Sequence, residues 1–456
     1  MTLTTTNHHR WRNHWNLVLF IFSFVISNLV SGIIYDTYVN YLQEVAVNIA
    51  TSFWAFYGYA TFISAFALFS VPKIGYKKLL LFCSGTCCIS LLAVIYLNSS
   101  KIFYVTTLLA LVGLQLHYTM LSPYIATYTE GMGEARIKWY TRTYYMGYVG
   151  YFFATYLGGV FTVKMFSMRA DITYSAAKKA TEYIAAFTPE LKLAYLQGNK
   201  DILLITAIIS AIAFIPILLI KEQGEDYRIN TDKSNPKNLL PRMQEMVQII
   251  LKKEAVIYLT YFAMVSFAMG LFSSYFTVYL NRNLHIDKAT SSLLVSISYL
   301  AIVLFMLFTP FLVRKLGQVN TISTMLIVSI PFMLIIANGE KFGSYKIAFV
   351  GVALFMRAGI ANISSPADNS LAMSIADKNL RPIFASMVNV IAGLASIVSG
   401  LFTGNILFTT QMGYKNAYYL AAGLYFIASI IVAVGLKKYN RIENSAESKE
   451  EIKNGE

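Results

Sequence analysis

Three ionised side chains lie inside long apolar stretches of this sequence, where a charge is costly. Arg357 and Asp368 fall within residues 345–375, and Asp36 lies near the end of residues 16–41. An arginine at the centre of a bilayer costs at least about 2.5–3.5 kcal/mol, so it is expected to face protein or a watery cavity. A buried carboxylate can take up a proton, which removes its charge. These residues therefore predict a polar path through an apolar protein.

The spacing of Arg357 and Asp368 defines a shared helix face. Eleven residues make three helical turns with about 20° of offset, so the two groups are predicted about 16 Å apart along the axis, too far to pair. Asn362 lies close enough to that face to add a polar group. Pro366 frees the carbonyl of Asn362, which predicts a kink and a hinge. For Asp368 we hypothesise a role at an inner gate, with a structural role as the alternative.

A second polar group falls in residues 102–128, where Gln115, His117 and Tyr118 are almost adjacent. His117 could relay protons because its unperturbed pKa is about 6.5, although a hydrogen-bonded structural histidine is the favoured interpretation. Gln115 and Tyr118 are predicted to contact a solute.

Aromatic residues are abundant, with 32 Tyr and 31 Phe. Some are expected in the belts at the membrane interfaces. Others are predicted to line a cavity, where rings stack on an amphipathic or aromatic solute and hydroxyls suit a polar one. The tyrosines divided between these two roles include Tyr35, Tyr38, Tyr41, Tyr57, Tyr59, Tyr144, Tyr145, Tyr148 and Tyr151.

The composition places these residues in a polytopic membrane protein. The 456-residue chain is 56% hydrophobic and only 13% charged, with a mean hydropathy of +0.55, whereas soluble domains carry about 25% charged residues. The net charge of +14 comes mostly from basic residues between apolar segments, so it indicates topology rather than nucleic-acid binding. The three cysteines have no ligand spacing, and no catalytic or phosphate-binding motif occurs, so we expect no metal, no cofactor and no enzyme.

Twelve apolar segments are predicted to cross the bilayer as helices, since each is long enough for a span, which takes roughly 17–25 residues. The segments between them alternate in basic content, which predicts that both termini are cytoplasmic. We expect the plasma membrane as the location of the chain. The predicted spans 1 to 12 are 16–41, 48–71, 79–97, 102–128, 142–164, 202–220, 255–281, 289–313, 319–338, 345–375, 383–408 and 416–436.

The two halves of the chain repeat the same landmarks in the same order. The sequence at 73–75 recurs 242 residues later at 315–317, and Ser-Pro ending at Pro123 recurs 243 residues later, ending at Pro366. A nearly constant offset predicts two related six-helix bundles.

These spans divide the chain into five predicted parts. Residues 165–200 are predicted to form a short helical cover, with a gate or partner site as the alternative; Thr188 would cap a helix, Pro189 would open it and Gly198 would end it. The linker from Pro241 is predicted to form an amphipathic helix at the membrane surface. The parts are a cytoplasmic segment 1–15, a bundle 16–220, a cytoplasmic linker 221–254, a bundle 255–437 and a charged tail 438–456.

Short motifs at the ends of two predicted spans carry a family resemblance. In LFSVPKIGYK, Gly75 and Lys77 match the GxLxDRxGRK motif, Lys73 stands for its arginine, and a second copy, PFLVRKLGQV, contains Lys315 and Gly317. The chain therefore resembles the major facilitator superfamily. The resemblance implies a gating role for these loops, with anchoring by positive charge as the alternative.

Two further motifs extend the resemblance. ATYLGG partly matches a GPxxGG pattern of drug antiporters, and Gly158 and Gly159 allow close helix packing. The run RAGIANISSPADNS is similar to exporter-like members in its order of Arg357, Asn362 and Pro366.

The family fold implies where the remaining polar residues of span 1 point. In that fold, spans 1, 4, 7 and 10 line a central cavity, and two bundles rock about it to give alternating access. Asp36 is therefore predicted to face the cavity as a proton or cation site coupled to Arg357, with a fixed ion pair as the alternative. Asn28 and Asn40 are predicted to lie along the same path.

Together these features predict a monomeric, proton-coupled secondary transporter of a small organic solute. Export of amphipathic, drug-like compounds is the first hypothesis. The alternative is a proton- or cation-coupled importer of a nutrient such as a sugar or a peptide. A receptor or an enzyme of the membrane is the least favoured class.

Overall fold

The structure, a computed structural model, describes residues 2–97, 99–129, 135–227, 252–375, 381–410 and 412–440. Every regular element in those ranges is helical and none is a strand, so the predicted all-α fold is confirmed. The predicted amphipathic helix of the linker lies outside the described residues, as does the tail beyond Asn440.

The α-helices are numbered in chain order. The first eleven are α1 Thr2–Ile33, α2 Val39–Val45, α3 Val47–Thr51, α4 Phe53–Ala67, α5 Val71–Ile74, α6 Tyr76–Tyr96, α7 Ser100–Tyr128, α8 Ala135–Arg169, α9 Tyr174–Ala180, α10 Pro189–Ile212 and α11 Phe214–Leu219. The others are α12 Gly224–Tyr227, α13 Lys253–Gly270, α14 Phe276–Arg282, α15 Lys288–Met306, α16 Thr309–Leu316, α17 Gln318–Ala337, α18 Lys346–Ile363, α19 Ser365–Ile375, α20 Arg381–Asn405 and α21 Met412–Gly435.

Eleven helices within the described ranges are long and apolar enough to cross a membrane. The predicted span 48–71 is helical but interrupted, and its longest continuous piece is α4, of 15 residues. Ser52, at φ −100° and ψ 13°, separates α3 from α4. A Cβ on Gly404 would lie 1.9 Å from the Ser52 hydroxyl oxygen, so the break lies where another helix approaches closely.

The segment before span 6 differs from the prediction. Thr188 does cap α10, because its hydroxyl accepts a hydrogen bond from the Leu191 amide, and Pro189 is the first helical residue. Gly198 does not end the helix, which continues to Ile212. A Cβ there would lie 2.8 Å from the Phe166 nitrogen, so this glycine permits a close helix crossing.

The chain forms two compact units. Unit 1 comprises Met1–Asn235, Ser273–Tyr299 and Ser396–Tyr414, and unit 2 comprises Pro236–Phe272, Leu300–Ala395 and Lys415–Glu456. The grouping follows contacts, whereas the predicted bundles follow the sequence repeat, and the bundle limits stay a prediction.

A short turn repeats in both units. Gly75 precedes α6 with φ +88° and ψ 162°, and Gly317 precedes α17 with φ +81° and ψ 165°. Such a conformation strains any residue that carries a Cβ. Each glycine follows a basic residue two positions earlier, Lys73 or Lys315. The repeat seen in the sequence therefore has the same backbone in the structure.

The core of unit 1 is built from apolar faces of α1, α6, α7 and α11. Phe20 and Tyr124 stack with ring centroids 4.2 Å apart, and both side chains are fully buried. Ile217 and Leu80 complete this cluster from α11 and α6. These faces of α1 and α7 pack in the core, which leaves their other faces for polar residues.

Candidate functional site

A π-helical turn, Ile34–Tyr38, joins α1 to α2 in unit 1. The amide of Val39 reaches back to the Ile34 carbonyl, five residues earlier, so the turn holds one more residue than an α-helical turn. The Asn40 side chain donates to the Asp36 carbonyl at 2.7 Å. This turn sets the directions of two neighbouring side chains, Tyr35 and Asp36, and π-helical turns occur often at functional sites.

The Asp36 carboxylate forms a buried ion pair with Lys288, the first residue of α15. Its second oxygen accepts a hydrogen bond from the Ser292 hydroxyl at 2.7 Å. Asp36 is 2% exposed and Lys288 is fully buried. Removing one member of a buried pair leaves an uncompensated charge, at a cost of about 3–5 kcal/mol. The intact ion pair therefore stabilises the contact between the π-turn and α15, and either charge alone would destabilise it.

Further polar contacts of unit 1 lie next to this ion pair and are made by residues of α2 and α14. Asn40 donates to the Thr277 hydroxyl at 2.9 Å, and Glu44, two turns beyond Asp36, pairs with Arg282. Glu44 also pairs with Lys192 at 3.3 Å. We call the side chains that make these contacts from the π-turn, α2, α14 and α15 the latch. Its members are Asp36, Asn40, Glu44, Thr277, Arg282, Lys288 and Ser292.

The segment at 173–186 forms hydrogen bonds with α14 and with the first residue of α15. Asn281 donates to the Thr181 carbonyl at 2.5 Å, and the Thr181 hydroxyl accepts from the Lys288 amide at 3.1 Å. His285 stacks on Tyr183 with ring centroids 4.8 Å apart. These contacts hold the turn that leads into α15.

Gly159 allows α8 to approach the start of α15. A Cβ on this glycine would lie 2.3 Å from the Ser292 Cβ and 3.4 Å from the Lys288 carbonyl oxygen. Gly158 faces the other way, and its Cβ would lie 3.3 Å from the Thr37 hydroxyl oxygen. The pair of glycines therefore sits between α15 and the π-turn.

Tyr35 leaves the π-turn on a different face and begins a tyrosine-lined surface. Its ring centroid is 6.3 Å from that of Tyr57 and 6.4 Å from that of Tyr151, and Tyr151 lies 5.1 Å from Tyr299. Gln115 of α7 lies near the Tyr35 and Tyr57 side chains. Four helical segments thus contribute tyrosine rings to one surface.

The same surface continues along α7 and α8. Tyr118 is 51% exposed although it lies well inside α7, and Tyr144 is 38% exposed. The two side chains lie near each other. We define the tyrosine surface by its members, Tyr35, Tyr57, Gln115, Tyr118, Tyr144, Tyr148, Tyr151 and Tyr299.

His117 points away from this surface. It lies two residues from Gln115, about 200° around the helix, and its Nε2 is 3.5 Å from the Ser23 hydroxyl. It lines a cavity of about 10 Å³ with Cys83 and Ser84, enough for about one water molecule. The structure therefore separates His117 from Gln115 and Tyr118, with which it was grouped in the predicted path.

Asn28 packs between helices. Its amide donates to the Phe24 carbonyl one turn earlier at 2.7 Å, and the side chain is 6% exposed. A Cβ on Gly147 would lie 3.3 Å from this amide nitrogen. Asn28 thus faces α8, whereas Asn40 belongs to the latch.

Arg357 lies in an aromatic cage inside unit 2. Its side chain is 3% exposed and donates to the Tyr425 hydroxyl at 3.0 Å and to the Met269 sulfur at 3.2 Å. The guanidinium carbon is 4.3 Å from the Phe272 ring centroid. A desolvated cation over an aromatic face gains about 2 kcal/mol or more. Coupling between Arg357 and Asp36 stays a prediction, and the observed ionic partner of Asp36 is Lys288.

Span 10 is interrupted where its proline predicts a kink. Ser364 separates α18 from α19, two residues before Pro366. The neighbouring Ile363 carbonyl accepts a hydrogen bond from the Thr309 hydroxyl. The Asn362 side chain turns back to the Ala358 carbonyl at 2.8 Å. A hinge motion at this break stays a prediction.

Asp368 follows this break and faces a pair of tyrosines within unit 2. Its carboxylate lies near the hydroxyls of Tyr258 and Tyr261 on α13. Its Oδ1 is buried and makes no hydrogen bond among the described residues. Its predicted part in an inner gate is not tested by these contacts.

The predicted gating loops hold their lysines in different ways. Lys77 donates to the Leu218 and Ile220 carbonyls at 2.6 and 2.9 Å, at the end of α11. Lys315 lies over the Phe311 ring at 4.5 Å, and Lys73 is exposed. In α7, Pro123 is accommodated inside a continuous helix.

Six residues of the site were not predicted from the sequence, namely Glu44, Thr277, Arg282, Lys288, Ser292 and Tyr299. Lys288 directly precedes an apolar span, so it resembles an interfacial anchor. Ser292 lies four residues later, and the i, i+4 spacing that places both on one face was the available signal. Tyr299 lies on the same helix, among apolar residues that give no distinct pattern.

The fold and the buried polar contacts define a multi-pass helical membrane protein. The model of the Major Facilitator Superfamily matches residues 193–400 and 260–454. The chain belongs to this superfamily, which indicates a transporter of small molecules rather than an enzyme.

Solved structures agree with this fold. The nucleoside transporter NupG is 14% identical, with a TM-score of 0.68 over 92% of this chain and 99% of that one. A D-xylose-proton symporter is 12% identical, with a TM-score of 0.65 over 92% and 97%. The peptide transporter POT is 12% identical, with a TM-score of 0.64 over 94% and 95%. At these identities the likeness shows the fold alone. Among curated proteins, none matches the sequence.

Proposed function

We propose that the protein is a proton-coupled secondary transporter that moves a small organic solute by alternating access. The observation that carries the proposal is the π-turn, which directs Asp36 to a buried lysine and Tyr35 to the tyrosine surface. One short segment thereby links a titratable ion pair to a surface suited to a solute. The protein acts as a monomer in the plasma membrane, with both termini in the cytoplasm.

Protonation of Asp36 is the coupling step in this proposal. While the carboxylate is charged, separating the π-turn from α15 would leave two unpaired buried charges. A proton on Asp36 makes the acid neutral, so its ion pair with Lys288 is lost and the latch can open. Loss of the proton on the other side of the membrane lets the pair form again. Opening of the latch is therefore tied to one proton per cycle.

For the direction of transport, we propose export of amphipathic compounds. The partly exposed aromatic rings of the tyrosine surface support a solute with an apolar face. Uptake of a polar nutrient is the second candidate. It is supported by the hydroxyls of the same surface and by the structural likeness to a nucleoside transporter and a D-xylose-proton symporter.

The proposal is tested with purified protein in liposomes under an imposed pH gradient. A panel of labelled amphipathic compounds, nucleosides, sugars and peptides is offered from each side. We expect gradient-driven flux of at least one class and loss of gradient dependence in Asp36→Asn, with Arg357→Ala measured beside it. The matched control is Asp201→Asn, which removes an acid whose ion pair with Arg169 is partly exposed. Gradient-driven flux that is unchanged in Asp36→Asn would exclude this carboxylate as the coupling group.

A further inference from the structure

We infer that the tyrosine surface binds an uncharged planar ring that carries hydrogen-bonding groups on its edge. This inference rests on the proposed transport function and names the chemical class of its substrate. It concerns the part of the solute that contacts unit 1.

The ring spacing on this surface is the first argument. Tyr35 and Tyr57 lie at 61° to each other, and Tyr35 and Tyr151 at 32°, with centroids more than 6 Å apart in both cases. Aromatic pairs prefer centroid distances of about 4.5–7 Å in offset or edge arrangements. A flat ring placed beside these side chains can therefore contact several aromatic faces or edges at once.

The ring of Tyr57 is held in place before a solute arrives. It stacks on Trp54 with centroids 4.4 Å apart and planes 12° apart. A preformed ring loses little side-chain freedom on binding, which favours affinity.

The chemistry of the surface sets the polarity of the solute. The hydroxyls and the Gln115 amide can donate and accept, so a purely hydrocarbon solute would leave them without partners. The eight members of the tyrosine surface are tyrosine and glutamine, and none carries a charge near neutral pH. The neighbouring carboxylate of Asp36 is occupied by Lys288 and Ser292. A charged group placed on this surface would therefore lose its hydration without gaining a counter-charge.

The test uses a matched series of probes that differ in charge but share one ring. Tyrosol is neutral, 4-hydroxyphenylacetate carries a carboxylate and tyramine carries an ammonium group. Uridine supplies a second neutral planar ring, and 2-cyclohexylethanol supplies a saturated one. Binding to purified protein in nanodiscs is measured by isothermal calorimetry at pH 7. We expect saturable binding of tyrosol or uridine, at least tenfold tighter than binding of the charged and saturated probes.

Two substitutions test whether the binding occurs at this surface. Tyr57→Phe keeps the ring but loses the hydroxyl, and Gln115→Leu removes the amide. Each should weaken binding of the neutral probe about five- to tenfold, as expected for one lost hydrogen bond. Tyr59→Phe is the matched control, because Tyr59 lies on the same helix two residues away and is 41% exposed. It should leave binding unchanged.

Several results would overturn the inference. They are tighter binding of tyramine or 4-hydroxyphenylacetate than of tyrosol, equal binding of 2-cyclohexylethanol, or no saturable binding of either neutral planar probe at millimolar concentration. Gradient-driven flux of a charged or saturated solute in liposomes would then leave the proposed transport function standing without this substrate class. If no solute moves with the gradient, the transport proposal itself fails.

Discussion

Lys288 in unit 1 and Arg357 in unit 2 are both buried cations, and their surroundings stabilise them differently. Lys288 in unit 1 pairs with the Asp36 carboxylate. Arg357 in unit 2 lies over the Phe272 ring and donates to a phenol and a thioether. An ammonium is a compact, strongly hydrated charge that needs a counter-charge, whereas a planar guanidinium can stack on aromatic rings.

The difference matters for switching. In the proposed transport cycle, a proton on Asp36 would remove the ionic partner of Lys288. Phe272, Tyr425 and Met269 do not change charge near neutral pH. These three contacts of Arg357 therefore suit a constant structural or solute-facing role, while the Asp36 pair suits a switch.

The largest expected effect comes from breaking the pair on one side. Lys288→Met leaves Asp36 buried without its counter-charge, which should destabilise the protein by about 3–5 kcal/mol. The double variant Lys288→Met with Asp36→Asn removes both charges and should recover most of that loss while transport stays uncoupled from the gradient. Thermal unfolding in detergent, followed by size-exclusion fluorescence, measures the first effect. A single variant as stable as the wild type would show that the pair is not a structural contact.

The contact of Gly159 with Ser292 offers a second way to disturb unit 1. Gly159→Ala places a Cβ 2.3 Å from the Ser292 Cβ, and overpacking of this kind costs about 1–3 kcal/mol. The control is Gly423→Ala in α21, where a Cβ meets nothing within 4 Å. That change should be neutral or slightly stabilising, since alanine is the better helix former. Equal stability of the two variants would contradict the close approach of α8 to α15.

The sequence predicted the charged residues but not all their partners. Asp36 and Arg357 stand out because ionised groups are rare in apolar runs. Lys288 does not, because a lysine at a span boundary is expected for topological reasons alone. The π-turn has no sequence signature in Ile34–Tyr38. A contact between residues about 250 positions apart cannot be read from local spacing.

The backbone was predictable where a residue has one strong local effect. Pro366 predicted a kink where span 10 breaks, and the match of residues 73–75 with 315–317 corresponds to the same glycine turn in both units. Gly198 was misread as a helix end because its function is packing against Phe166, which is set by the tertiary fold. The interruption at Ser52 is likewise set by the tertiary fold, because Gly404 of another helix approaches closely there.

In unit 2 we expect the shape of the buried cation, as well as its charge, to affect stability and transport. Arg357→Lys keeps the charge but loses the planar group over Phe272, and we expect a loss of about 1–2 kcal/mol in stability. Arg357→Lys should also reduce transport without changing its dependence on the pH gradient. The measurements are thermal unfolding and the ratio of flux with and without the gradient. A variant that lost gradient dependence would move the switch from unit 1 to unit 2.

A second difference between the units concerns the repeated glycine turn. In unit 1 the Glu222 carboxylate accepts hydrogen bonds from the Tyr76 and Lys77 amides at 2.7 and 3.2 Å. In unit 2 the neutral Asn440 side chain accepts from the Asn320 amide at 3.0 Å. In both cases a residue that follows the sixth helix of a predicted bundle caps the third helix. The units therefore share a device but differ in the charge of the capping group.

The smallest expected effect comes from making these caps alike. Burial raises the pKa of Glu222, and this effect outweighs the opposing hydrogen bonds from the two amides. A carboxyl whose folded pKa is raised stabilises the protein fully below its unfolded pKa of about 4.5 and loses that contribution as pH rises through the folded value. The stability of the wild type relative to Glu222→Gln should therefore fall as pH rises from about 4.5 through the raised folded pKa of Glu222. Glu222→Ala, which removes the cap, should cost about 1 kcal/mol.

Thermal unfolding of the three proteins across this pH range is the measurement. If the wild type gained stability over Glu222→Gln as pH rose, the charged carboxylate would be the better cap, and the neutral Asn440 would mark a weaker turn in unit 2.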